Sequence, residues 1–115
     1  MKHSSKKVEL GLEKQQRDAL IRSLIVSLIK NGKIQTTETR AKVIRPRVEE
    51  LITKGKSATI SAERALTSAI GISSAHKIIK EIAPKYAQRN GGYLRIIKMK
   101  QRVSDGAKIA QIEFV

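Results

Sequence analysis

Residues 93–115 read YLRIIKMKQRVSDGAKIAQIEFV, and the period of this stretch decides the fold class. Tyr93 to Met99 and Ile109 to Val115 are rich in β-branched and large apolar side chains. In the second run Ala110, Ile112 and Phe114 alternate with Gln111 and Glu113, the two-residue period of a half-buried strand. Between the runs, Asp105-Gly106 is a hairpin signal, since both residue types tolerate the positive φ of tight turns. The chain is therefore expected to close on a β-hairpin.

Upstream of this stretch the period is helical. Leu20, Ile21, Leu24, Ile25, Leu28 and Ile29 form a broad apolar stripe from about Glu13 onward, with Lys14, Arg17, Arg22 and Lys30 off it. Asn31-Gly32 supplies a C-terminal stop, and KIQTT after it fits an extended segment, an edge strand. Thr36 or Thr37 can cap a second helix, with Glu38 well placed for its dipole. The apolar face of that helix is Ala41, Ile44, Val48, Leu51 and Ile52, while Arg40, Arg47 and Lys54 recur every seven residues on another. Pro46 inside it is expected to kink or split the helix, because it removes a backbone donor. A weaker third helix covers about Ser61 to Ile70 and stops at Gly71. A fourth begins after Ser73, with Ser73 and Ser74 read as caps, and runs through Ile78, Ile79 and Ile82 to Pro84. Helices first and a hairpin last make an α+β fold: three to four helices packed on a small sheet ending in a C-terminal β-hairpin. The expected organisation is a basic N-terminal arm over 1–11 and a single domain over 12–115, with no internal repeat.

Composition narrows the function. In 115 residues, 24 Lys plus Arg stand against 10 Asp plus Glu, a formal charge of +14. Such an excess repels itself, and it makes sense when a polyanion neutralises it. Nucleic acid is the favoured partner over an anionic membrane surface, because basic domains usually track phosphate backbones. The absence of cysteine excludes disulfides, zinc fingers and thiol catalysis. The apolar run Ala19 to Ile29 is interrupted by Arg22 and too short to span a bilayer, so a soluble, unsecreted protein is expected.

Enzyme constellations are missing. Gly55-Lys56-Ser57 mimics the end of a phosphate-binding P-loop, but Glu50 stands where its first glycine belongs and a helix, not a strand, precedes it. His3 and His76 have no companions at metal-ligand spacing, and His76 reads as a helix-surface residue. No base is spaced to activate Ser73 or Ser74. No catalytic residue, metal, cofactor or small-molecule substrate is expected. Tyr86, Tyr93 and Phe114 are the only aromatics, too few for a base-stacking platform, so backbone and shape recognition is favoured.

Three stretches bring a family into view: MKH with Leu10-Gly11 and RDALIRSL; IQTTETRAKVIRPRVEELIT; and RNGGYLRIIKMKQR with the closing IEFV. In these the chain resembles the bacterial ribosomal large-subunit protein seventeen family, across nearly its whole length. The resemblance implies helices on a small sheet and a non-catalytic, cytoplasmic component of the ribosome that binds large-subunit ribosomal RNA. It also implies neighbouring large-subunit proteins, loosely including ribosomal protein thirty-two. An architectural DNA-binding protein is the alternative of similar size and charge.

The RNA-binding candidates are Lys2, His3, Lys6 and Lys7 in the arm, with Arg17 and Arg22 on the first helix. They continue with Thr36, Thr37, Lys42 and Arg45, and end with Arg89, Gly91, Gly92, Tyr93, Arg95, Lys98 and Arg102. Gly91-Gly92 is read as an opening that lets backbone amides approach a phosphate, with a plain turn as the alternative. Tyr93 stands open between core residue and RNA contact. The sequence departs from the family pattern at Leu12, Glu13 and Gln16, where an arginine and a histidine are usual near the ends, and at Ser23, where asparagine is common. Ser104 replaces a turn glycine, a role Gly106 can take.

Overall fold

A computed structural model describes residues 13–115. The basic arm with Lys2, His3, Lys6 and Lys7, and the departure at Leu12, lie outside the described residues. The elements follow in the order α1 (Lys14–Asn31), β1 (Lys33–Thr37), α2 (Glu38–Lys56), α3 (Ile60–Ile70) and α4 (Ile72–Lys77). A π-helical turn (Ile78–Ile82), α5 (Ala83–Lys85), β2 (Leu94–Lys98) and β3 (Ile109–Phe114) complete them. The architecture is α+β, as the switch of period predicts.

Local chemistry places most boundaries. Gly32 ends α1 in the left-handed conformation, φ 82°, and its N–H donates to the Leu28 carbonyl at 2.7 Å. Of the two threonines, Thr37 is the cap of α2: its hydroxyl accepts from the Arg40 N–H at 3.3 Å. Thr59 caps α3 in the same way, accepting from the Ala62 N–H at 3.1 Å. One expectation is narrowed and one fails. Of a kink or a split at Pro46, the split does not occur, since α2 runs unbroken from Glu38 to Lys56. Pro46 is exposed, and the carbonyl it leaves unpaired belongs to exposed Lys42, on the side where water can bond it. Ser73 and Ser74 are not caps either. They lie within the first turn of α4, whose N-cap is Gly71.

The helical rod from α4 to α5 is continuous but irregular. Pro84 has no N–H to give the Lys80 carbonyl, and its ring would crowd that carbonyl in a regular helix. The turn before it widens instead, and the Ala83 N–H bonds the Ile78 carbonyl five residues back.

The sheet order is β1-β3-β2, all antiparallel. The expected hairpin is the β2–β3 pair and the expected edge strand is β1, which leaves β3 in the centre. The connection is longer than a two-residue turn. Beyond Met99, whose N–H bonds the Ile109 carbonyl, it closes only at Arg102 to Ala107, with Gly106 at φ 69°. The period-two pattern of β3 is realised: Ala110 and Ile112 are buried, in register with Lys98 and Ile96 of β2 and with Thr36 and Ile34 of β1.

One hydrophobic cluster joins every layer. Ile21, Ile25, Leu28 and Ile29 of α1 meet Ile44, Val48 and Ile52 of α2. Leu66, Ile78 and Ile82 close one side, and Leu94, Ala110 and Ile112 supply the sheet. Fully burying each Leu or Ile is worth about 1.5–3 kcal/mol, so this cluster fixes where the basic side chains emerge.

Candidate nucleic-acid interface

The helices cover one face of the sheet, so charges gather along the exposed side of α2 and around β2. Glu38, at the start of α2, holds two of the candidates. Its carboxylate lies 2.9 Å from Lys42 Nζ and 3.8 Å from Lys98 Nζ, which reaches over from β2. The hydrogen bond from Lys42 holds the Glu38 carboxyl below its ordinary pKa. A shallow hollow of about 470 Å³ opens beside it, lined by Thr37, Glu38, Thr39, Lys42, Ala107 and Lys108. Thr37 and Lys42 thus meet Lys108 at this hollow, and Lys98 is tied to it through Glu38, whereas Thr36 lies in β1 opposite Ala110.

Further along α2 the same side holds the glycine loop. Glu49 accepts a hydrogen bond from the Tyr93 N–H at 2.8 Å, and its other oxygen lies 3.9 Å from Arg45 Nε. Lys56 donates to the Arg89 carbonyl and, at 3.2 Å, to the Tyr93 hydroxyl, with its ammonium 5.4 Å from the Tyr93 ring centre. The two ends of the segment 89–93 are therefore tied to α2 one helical turn or more apart. Between them Gly91 (φ 151°) and Gly92 (φ 64°) stand clear: a Cβ built on either finds nothing within 4 Å. Their backbone is open to an approaching group, and neither glycine is needed for close packing inside the protein.

Tyr93 is a core residue. It is 1% exposed and packs against Tyr86 with ring centres 5.2 Å apart and planes tilted by 51°, so its ring offers no surface to a base. Its hydroxyl lies 3.4 Å from Thr53 Oγ1 and donates to the Arg89 carbonyl at 3.2 Å; the bond with Thr53, then that from Lys56, lowers its pKa. Burial raises that of Tyr86, whose hydroxyl donates to the Val115 carbonyl at 2.8 Å. Phe114 packs half-buried against the core.

Arg95 points to the uncovered face of the sheet, where it pairs with Glu113 at 3.4 Å in a row with Lys33. Ile97 and Met99 share that face and are about two-fifths exposed, at 41% and 42%. Arg102 forms a two-pronged pair with Asp105, at 2.9 and 2.7 Å, across the turn before Gly106. That pair, with the Ala107 N–H, holds the Asp105 carboxyl down to about 2.

Arg17 and Arg22 are not part of this group. Arg22 lies with Arg47 and Lys54 beside a groove of about 430 Å³ between α1, α2 and α3, where Asp18 and Glu50 partly offset the charge. Among the described residues no group of His, Asp and Glu could hold a metal, and no helix is long and apolar enough to cross a membrane. His76 stands half-exposed, 3.2 Å from Glu63.

Sequence reasoning missed Glu49 and Lys56, and it set Lys56 aside with the P-loop look-alike. Their partners lie 44 and 33 residues away, so no local pattern points to them. The only signal is their spacing of seven on one side of α2.

Residues 20–115 match the family described as Ribosomal protein L17. The chain belongs to that family. Its relatives named large ribosomal subunit protein bL17 include that of Clostridium beijerinckii, 47% identical over 108 residues that cover 93% of this chain and 96% of the relative. That of Persephonella marina is 45% identical over 118 residues, covering 100% and 95%. That of Nautilia profundicola is 43% identical over 120, covering 100% and 98%. The L17 family match runs from within α1 to the end of β3, so the likeness extends beyond any single motif.

Proposed function

We propose that this protein is a non-catalytic, structural component of the large ribosomal subunit that binds large-subunit ribosomal RNA through backbone and shape. The observation that carries this reading is the L17 family match over 20–115 in a chain of formal charge +14. The geometry favours the backbone mode: Tyr86 and Tyr93 are buried and Phe114 is half-buried, so base stacking has no platform, whereas cations project along α2 and β2. The charged ends of Lys42, Arg45, Arg95, Lys98 and Arg102 are exposed and pair with carboxylates, of which Asp105 is exposed and Glu38, Glu49 and Glu113 are half-buried. Such pairs are weak in water and are readily exchanged for phosphate. Gly91 and Gly92 would present backbone amides to a phosphate between these cations. Thr36 and Thr37, Arg17, Arg22 and Arg89, and the arm residues Lys2, His3, Lys6 and Lys7, complete the proposed contact set. Ribosomal protein thirty-two is the proposed protein neighbour, and the place of action is the ribosome in the cytoplasm.

Sedimentation of cell extracts at moderate salt tests the reading. The protein should travel in equal stoichiometry with large subunits and dissociate steeply as salt rises, log affinity changing by about 0.7–0.9 per phosphate contact for each unit of log salt. Travel with the nucleoid instead would overturn it in favour of an architectural DNA-binding protein.

A further inference from the structure

A second basic region lies where none of the RNA-contact candidates falls. The C-terminal end of α1 and the rod from α4 to α5 enclose two adjoining hollows of about 670 and 230 Å³, which share Ile29, Lys30 and Lys77 and so form one groove. Its floor is apolar, with Ile29, Ile82 and Phe114. Its rim carries Lys30, Lys77, Lys80 and Lys85 against one carboxylate, Glu81. Lys30, Lys80 and Lys85 are exposed, and none of the four lysines makes an ion pair among the described residues. The end of α1 would by itself repel an anion. Lys77 removes that objection, since its ammonium donates to the Lys30 carbonyl at 2.9 Å and covers this pole.

The π turn aligns the charges. In a regular helix Lys77 and Lys85, eight residues apart at 100° each, would project about 80° from one another. One residue absorbed by a π turn removes about 100° of rotation and leaves them about 20° apart. Both line the same hollow with Lys30. A row of lysines over an apolar floor, with little opposing charge, is complementary to a phosphate backbone and not to a cationic or neutral partner.

We propose that this groove is a second RNA-backbone site, so that the protein holds one RNA segment along α2 and β2 and another against the α4 to α5 rod. The inference rests on the ribosomal reading above and adds the bridging of two segments. The test uses the full chain bound to large-subunit ribosomal RNA, with hydroxyl-radical protection and the salt slope as readouts. Wild type should protect two separate sets of nucleotides. Lys80→Gln with Lys85→Gln should lose one set and lower the slope by about 1.4–1.8, two contacts' worth. Lys42→Gln with Lys98→Gln should lose the other set. Neither Lys80 nor Lys85 bonds another described residue through its side chain, so the first variant should fold as wild type does. Acylation of wild-type protein provides a readout without substitution: Lys80 and Lys85 should be unreactive in assembled subunits and reactive in the free protein. Unchanged protection and slope in the first variant, or lysines that stay reactive in the subunit, overturn the groove. So does crosslinking of the groove to a protein and not to RNA. If wild type protects no nucleotides at all, the RNA reading itself fails first, and the groove falls with it.

Discussion

Gly55 and the pair Gly91-Gly92 lie close to the same helix, yet they serve opposite ends. Gly55 is buried where α2 crosses the π turn, and a Cβ there would sit 2.6 Å from Ile78 Cγ2. It is glycine because the core has no room. Gly91 and Gly92 face open space, and Gly92 at φ 64° is glycine because the backbone turns that way. In the sequence the first belongs to a deceptive GKS triplet and the second to a loop that invites a functional reading. The contrast teaches that a glycine's meaning lies in what would occupy its missing side chain: a neighbour's methyl group at one site, solvent or a ligand at the other.

Gly55→Val should show the largest effect. Ile78 is fully buried and branched, so it cannot swing away cheaply, and the cost should reach about 3 kcal/mol, the upper end of the usual range for overpacking. Chemical denaturation measures it; a loss below about 1 kcal/mol would mean that the crossing is loose, and the contrast would break. Gly92→Val should cost less, about 1–3 kcal/mol, through backbone strain alone. Gly92→Asn sharpens the comparison, since asparagine tolerates this conformation. It should keep nearly full stability while weakening RNA binding, because its side chain fills the space before the amides. Wild-type affinity in Gly92→Asn would leave a plain turn as the role of this glycine.

The smallest effect concerns the third turn, at Gly106. Asp105 titrates at about 2 instead of 3.8 because Arg102 and the Ala107 N–H favour its charged form. A carboxyl lowered on folding stabilises the folded turn fully above its ordinary pKa and loses that contribution as pH falls towards the lowered value. The ordering of residues 102–107 should therefore be complete near neutrality and fade between about pH 4 and pH 2. A carboxyl titration followed by NMR should give a midpoint near the lower figure; a midpoint at the ordinary carboxylate value would show that the Arg102 pair does not persist in solution.

Much of the architecture is legible in the sequence, for reasons that are local. Apolar side chains at i, i+4 and i+7 must share a helix face, so the buried residues of α1 and α2 follow from spacing. Gly32 and Thr37 mark boundaries because a left-handed C-cap and an N-cap hydroxyl involve only residues within one turn. The alternation of Ala110 to Phe114 makes β3 a strand, and the charge excess points to a polyanion. All of these are properties of a few neighbouring residues or of a sum over the chain.

Tertiary structure decided what depends on distant partners. The central place of β3 follows from β1 pairing with it across more than 70 residues. Tyr93 became core because Glu49 and Lys56 hold the glycine loop down on α2. The interior Pro46 is tolerated because it faces solvent. The register that places Lys77 and Lys85 on one groove arises from a π turn fitted between Pro84 and the bare face of Gly55, and an α-helical period would have set those two lysines about 80° apart. Spacing along a chain determines which residues can share a surface; the packing partner determines which surface is covered, and so which charges are left to meet a ligand.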